Sequence, residues 1–135
     1  MRRLFVLALA LCLTAPALAQ AQVISQASAA ERNFVVFFQE WSAAFDKPAA
    51  AVIADAAKVA AASQSAPIVV TGYADPIGSG RSNELVSALR AQLVVDALVE
   101  AGIPAVRIQQ KAVGGIGFVL SPQESRRVTV SIGEK

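Results

Sequence analysis

The chain has no histidine and one cysteine, Cys12, among its 135 residues. Histidine is the commonest general base and the commonest metal ligand, so the usual parts of a hydrolase or a zinc centre are missing. A lone cysteine closes no internal disulfide. Charged residues make up only 16% of the chain and aromatic residues 6%. Long apolar runs are also scarce. The run Leu4–Leu13 is too short to span a bilayer as a helix, which takes about 20 apolar residues. No later stretch of spanning length follows, and there is no series of alternating barrel strands.

What is present at the start is an export signal. Arg2 and Arg3 form a positive head, Leu4 to Leu13 an apolar core, and Ala17-Leu18-Ala19 a small-x-small cleavage pattern, which predicts a signal peptide over residues 1–19. Two other fates stay open: retention as an N-terminal anchor, and lipid attachment at Cys12. For the second, Leu11 stands where a small side chain is wanted. Arg2 and Arg3 account for two of the 12 basic residues, so the chain beyond residue 19 balances ten Lys and Arg against 10 Asp and Glu. A nucleic-acid footprint is therefore absent, and Cys12 leaves with the signal.

Residues 20–32 are rich in Ala, Gln and Ser and read as a short linker, leaving one domain over 33–135. FVVFF (34–38) reads as a buried strand. Asp46 before Lys47-Pro48 starts a helix over 48–62, with Val52, Ile53, Ala56, Val59 and Ala60 on its apolar stripe. IVVTGY (68–73) is a second strand, and DPIGSGRS (75–82) a loop dense in Pro, Gly and Ser. A second helix runs from about Ser82 to Ala101 and stops at Gly102, with Pro104 beyond. Residues 106–113 form a third strand, GGIG (114–117) and SPQES (121–125) turns, and RRVTVSI (126–132) a last strand with Val128, Val130 and Ile132 on one face. The order β-α-β-α-β-β predicts an α+β two-layer sandwich, two helices packed on one face of a mixed four-stranded sheet.

On the second helix one residue is out of place. Gln92, Asp96 and Glu100 mark the solvent side, and Arg90 lies roughly 160° from Gln92 at about 100° per residue. Asn83, Ser87 and Arg90 share a face at i, i+4 and i+7. A charged arginine on an inward face must be paired or border a cavity. Asp75 is the only carboxylate of the adjoining loop. If the two straddle a gap, they offer an acceptor and a bidentate donor, which fits a zwitterionic amino acid with its ammonium on Asp75 and its carboxylate on Arg90. The plainer alternative is structural: Asp75 caps a turn with Pro76, Asn83 caps the helix, and Arg90 closes an internal salt bridge.

The stretch GYADPIGSGRSNELVSALRAQLVVDALVEAGIPAVRI (72–108) resembles the OmpA-like peptidoglycan-binding domain family. Gly72, Tyr73, Asp75, Gly78, Ser79, Asn83, Ser87, Arg90, Ala91, Gly102, Ile103 and Pro104 stand in the family's register. SRRVTV (125–130) resembles its closing strand and FVVFF its opening one, so the likeness covers about residues 33–133. Ala74 replaces the family's usual Thr, and Gln39 or Glu40 stands where relatives often carry an Asp. The resemblance implies that Asp75 and Arg90 contact the diaminopimelate of the cell-wall stem peptide, with Asn83, Ile77, Gly78 and Ser87 around the same pocket. Arg126 and Arg127 serve either that pocket or only the sheet.

The expected function is non-catalytic binding of peptidoglycan, tethering or organising the cell envelope from the periplasm, at the outer membrane. No cofactor, metal or nucleic acid is expected, and an envelope protein partner is a further expectation. The alternative is a periplasmic interaction or assembly domain of the same fold that has lost or weakened wall binding. A wall hydrolase would need a nucleophile with a base or a metal, and the chain beyond residue 19 offers neither histidine nor cysteine.

Overall fold

The computed structural model describes residues 31–40, 42–115 and 122–133. The expected signal peptide (1–19), most of the expected linker (20–30), and the part of the GGIG and SPQES turns that falls in 116–121 lie outside these residues.

The elements are β1 (Arg32–Phe37), α1 (Lys47–Ala62), β2 (Ile68–Ala74), α2 (Gly80–Glu100), a 3-10 turn (Ala105–Arg107), β3 (Ile108–Gly115), the short turn α3 (Pro122–Ser125) and β4 (Arg127–Ile132). They make one mixed sheet in the order β1-β4-β2-β3. β2 and β3 are parallel, joined through α2, while β4 inserts between β1 and β2 and runs antiparallel to both. The expected two-layer architecture is the observed one. α1 lies against β1 and β4, and α2 against β2 and β3.

Strand alternation puts one residue in two into the core. Val130 stands opposite both Phe34 and Val70, and Val128 opposite both Val36 and Gly72. Val36, Val70, Val128 and Val130 are fully buried there, with Val94 and Leu98 of α2 above them. α1 buries Ala49, Ile53, Ala56, Ala57 and Ala60. Four of those five are alanine, and small side chains let a helix lie close to its neighbours. Val52 and Val59, expected on the stripe, are half-buried beside it.

Helix ends follow local chemistry. Asp46 caps α1, its Oδ1 accepting from the Ala49 amide at 2.8 Å. α2 begins at Gly80, two residues before the expected start, because Ser79 is the cap: its hydroxyl oxygen accepts from the Ser82 amide at 3.1 Å. Asn83, the cap in the structural alternative, does not cap it. β3 runs to Gly115 where a turn was expected from Gly114, and part of the expected SPQES turn is the helical turn α3.

Two contacts that sequence reasoning missed fix the layers. Arg107 donates to the carbonyls of Ala60 (3.0 Å), Ser63 (2.7 Å) and Ala66 (2.9 Å). It thereby satisfies the Ala60 carbonyl in the last turn of α1, braces the turn that follows, and places a cation at the negative end of the helix. At Gly72 the sheet and α2 nearly touch, since a Cβ there would stand 2.0 Å from the Ser87 carbonyl oxygen.

Arg107→Ala is expected to lower stability by about 2 kcal/mol, the scale of charged hydrogen bonds to half-buried carbonyls, measured by urea denaturation. Gly72→Ala is expected to cost at least about 2 kcal/mol, because the obstructing atom is backbone and α2 must shift. A Gly72→Ala variant as stable as the parent would show that α2 does not sit where its contact with β2 puts it.

Candidate functional site

A cavity of about 150 Å³ opens where β2 ends and α2 begins. Ala74, Asp75 and Ile77 form its floor, Asn83, Val86, Leu89 and Arg90 its α2 wall, and Glu40, Ser42 and Ala43 the wall from the β1–α1 connection. Such a crevice, beyond the carboxyl end of a strand that feeds a helix, is a usual place for a ligand.

Arg90 is on the inward face, as the helical wheel requires, and is 2% exposed. Its Nε donates to the Ser42 carbonyl at 3.0 Å and its Nη2 to the Gln39 carbonyl at 3.2 Å. The guanidinium carbon lies 5.3 Å from the centre of the Phe38 ring, a cation–π contact. Burial pushes the Arg90 pKa down from its ordinary value, the Asp75 carboxylate opposes that, and the Arg126 cation adds to it. The group stays cationic at any working pH, because arginine starts so high.

Asp75 also faces the cavity, but its ion pair is with Arg126: Nη1 to Oδ2 at 3.1 Å, the two side chains 15% and 17% exposed. The second carboxylate oxygen, Oδ1, and the Arg126 Nε are buried without a hydrogen-bond partner among the described residues. Asp75 and Arg90 therefore share the cavity as expected and do not close a salt bridge with each other. Arg126, just before β4 and still bonded to the Phe38 amide, and Arg127, the first residue of β4, part company because successive residues of extended chain face opposite ways. Arg126 reaches Asp75, whereas Arg127 lies over the Tyr73 ring at 4.2 Å and donates to the Glu124 carbonyl at 2.6 Å.

Of the other expected site residues, Asn83 and Ile77 line the cavity and Gly78 and Ser87 do not. Gly78 shapes the loop beside it, at φ 101°. Ser87 corrects the expectation drawn from the shared helical face. It is fully buried, donates to the Glu84 carbonyl at 2.8 Å and accepts from the Gly114 amide at 3.0 Å. It clasps α2 to β3 on the far flank of the stripe, and Val86, one residue earlier, takes the cavity side. The β1–α1 wall was legible only as Gln39 or Glu40. Gln39 contributes its carbonyl to Arg90, and Glu40 is one of the residues that line the cavity. No group of three or more His, Cys, Asp or Glu able to hold a metal occurs among the described residues, and none of their helices is long and apolar enough to cross a membrane.

Known proteins resemble this chain in sequence and in fold. Outer membrane protein A of Serratia odorifera is 41% identical over 68 residues, 50% of this chain and 24% of that protein. Outer membrane protein A of Klebsiella aerogenes is 52% identical over 46 residues, 34% of this chain and 13% of that protein. The chain thus matches a quarter or less of the length of these relatives. The peptidoglycan-associated lipoprotein of Burkholderia pseudomallei superposes with a TM-score of 0.66 at 18% identity, over 75% of this chain and 90% of that one. The C-terminal domain of Helicobacter pylori MotB gives 0.64 at 20%, over 75% and 84%. At such identities these structures speak for the fold. The model of the OmpA family matches residues 37–127, two thirds of the chain and every element from the end of β1 to the start of β4, and the chain belongs to that family.

Proposed function

We propose that residues 33–135 form a non-catalytic module that binds peptidoglycan through the diaminopimelate of the stem peptide. The module follows an export signal (1–19) and a linker (20–32), and acts in the periplasm, at the outer membrane, to tether or organise the envelope. Arg90 carries this reading. A guanidinium has five N–H donors, and Arg90 spends one on Ser42 and one on Gln39. Among the described residues nothing accepts from the two Nη1 hydrogens or the second on Nη2, which leaves a fork suited to a carboxylate. Asp75, which lines the cavity with its side chain 17% exposed, supplies the complementary carboxylate for an ammonium. Diaminopimelate presents both groups at its free amino-acid end. Asn83 on the α2 wall adds an amide with both donor and acceptor. Family membership and the likeness to a peptidoglycan-associated lipoprotein support the same ligand.

A second reading, a periplasmic interaction or assembly domain with weakened wall binding, is favoured by one observation. Arg90 also ties the β1–α1 connection to α2, which is a structural task. Substituting Arg90 therefore mixes folding with binding, and Asp75 is the better probe.

The test is co-sedimentation with purified sacculi. The parent protein is expected to pellet with diaminopimelate-type walls and to bind lysine-type walls at least about tenfold more weakly, because lysine lacks the carboxylate that Arg90 would hold. Asp75→Asn, shown to be folded, is expected to lose about tenfold on diaminopimelate walls. No soluble fragments should be released from them. Failure of the parent protein to pellet would leave the assembly reading standing.

A further inference from the structure

We propose that β1 is a docking edge for a second copy of this chain: two β1 strands pair antiparallel about a two-fold axis through Val35 and join the sheets of the two copies. The inference goes beyond the wall-binding reading and does not depend on it.

The sheet ends in β1 on one side and β3 on the other, and the two edges are built differently. An unpaired edge is a template for another strand, and proteins blunt it with lysine, proline or a bulge. β3 has such devices. Lys111 stands exposed in its middle, its register with β2 shifts between Gly72 and Tyr73, and it ends in Gly114-Gly115. β1 has none of them. Its sequence RNFVVF holds no lysine, proline or glycine, and its register with β4 is unbroken. Val35 and Phe37 are 37% and 42% exposed.

The open groups of β1 can be named. The Phe38 amide donates to the Arg126 carbonyl, and these two residues continue the β1–β4 register. In an antiparallel ladder, facing residues alternately exchange bonds and turn their backbone groups away. Phe38, Val36 and Phe34 therefore bond β4, while Phe37, Val35 and Asn33 turn their N–H and C=O groups to the free edge. Among the described residues no strand pairs with that edge.

A second β1 matches this set. With the axis at Val35, Val35 faces its own counterpart and Asn33 faces Phe37 of the other copy, so every open group of both strands is used. Moving the axis to Val36 sets Asn33 against Gln39, whose carbonyl Arg90 and the Ser42 amide already hold. Charge agrees with the first register. Arg32, the one charged residue of β1, lies at its end and meets Phe38 of the other copy, so no like charges are opposed. Such a contact is isologous and closes on itself. None of Asn33, Val35 and Phe37 lines the cavity, so the joined molecule carries two cavities at opposite ends of one continuous sheet.

The test is sedimentation of residues 20–135 in the analytical ultracentrifuge over a concentration series. The parent chain is expected to be dimeric at about 0.1 mM, the range of a small interface. Val35→Pro removes an N–H that β4 does not use, where an edge strand tolerates proline, and is expected to weaken the dimer at least about tenfold. Val35→Lys opposes two cations across the axis and is expected to weaken it by as much. Val35→Thr, still β-branched, is expected to stay within about threefold of the parent. A parent chain that stays monomeric at about 0.1 mM overturns the proposal, and so does a dimer that Val35→Lys leaves intact, since the copies then meet elsewhere. Should Val35→Pro not fold, hydrogen exchange of the parent chain decides. The Asn33, Val35 and Phe37 amides are expected to gain protection as concentration rises, and exchange that is independent of concentration refutes the pairing. Wall binding is read separately, by co-sedimentation of the parent chain with sacculi, so either reading can fail alone.

Discussion

Arg90 is a permanent cation at 2% exposure, and water cannot solvate it there. The protein has to do so, and the ways it does shape the surrounding structure. Two main-chain carbonyls from the β1–α1 connection turn inward to accept from it, and the Phe38 ring lies against it. These contacts draw a connection of irregular backbone across the top of α2 and so build one wall of the cavity. An apolar side chain at position 90 would release that wall. A lysine would keep the charge and lose the planar fork that serves two carbonyls and still has donors to spare.

Where Arg90 arrives depends on how α2 is seated, and that is settled at the other end of the interface. Gly72 has no Cβ, so the Ser87 carbonyl can approach β2 more closely than any side chain would allow. The Ser87 hydroxyl then bonds the Gly114 amide of β3. One turn of α2 is thus held against two parallel strands at once. The next turn delivers Arg90 over the end of the sheet, beside Asp75. The same register lets β4 enter between β1 and β2, which places Arg126 within reach of Asp75 and turns Arg127 to the opposite face. Gly72 and Ser87 do not line the cavity, yet their contact fixes where its α2 wall stands.

The part of this that the sequence disclosed is the part governed by short range. The inward direction of Arg90 follows from helical periodicity over ten residues, and the α1 cap at Asp46 from an Asp before Lys-Pro. The opposed faces of β4 follow from alternation. The pairing of Arg126 with Asp75 spans 51 positions and exists only because β4 inserts between two strands, a placement that no local pattern encodes. Arg107 was hidden for the same reason, since its acceptors lie 41 to 47 residues away. Ser87 misled because a helical face is wide. Residues at i, i+4 and i+7 share it, yet the edge of a sheet can claim one flank while a cavity claims the other. The family pattern gathered these residues in one neighbourhood and could not divide them between lining the cavity and packing.

The lowered pKa of Arg90 bears on why the site uses arginine at all. Its sign is that of a base held less tightly in the folded chain than in the unfolded one. Such a group destabilises the fold while it is charged, and relief comes only as pH rises towards its folded pKa. For arginine that region lies far above any pH the protein meets, so the cost is constant across the working range and introduces no switch. A lysine in the same place starts lower and shifts readily on burial, which would let the desolvation that Arg90 tolerates neutralise the site. The cavity therefore combines low exposure, which strengthens its electrostatics, with a cation that this same low exposure cannot discharge. Asp75 on the cavity floor and Arg126 paired with it complete an alternation of charge that is set by the fold.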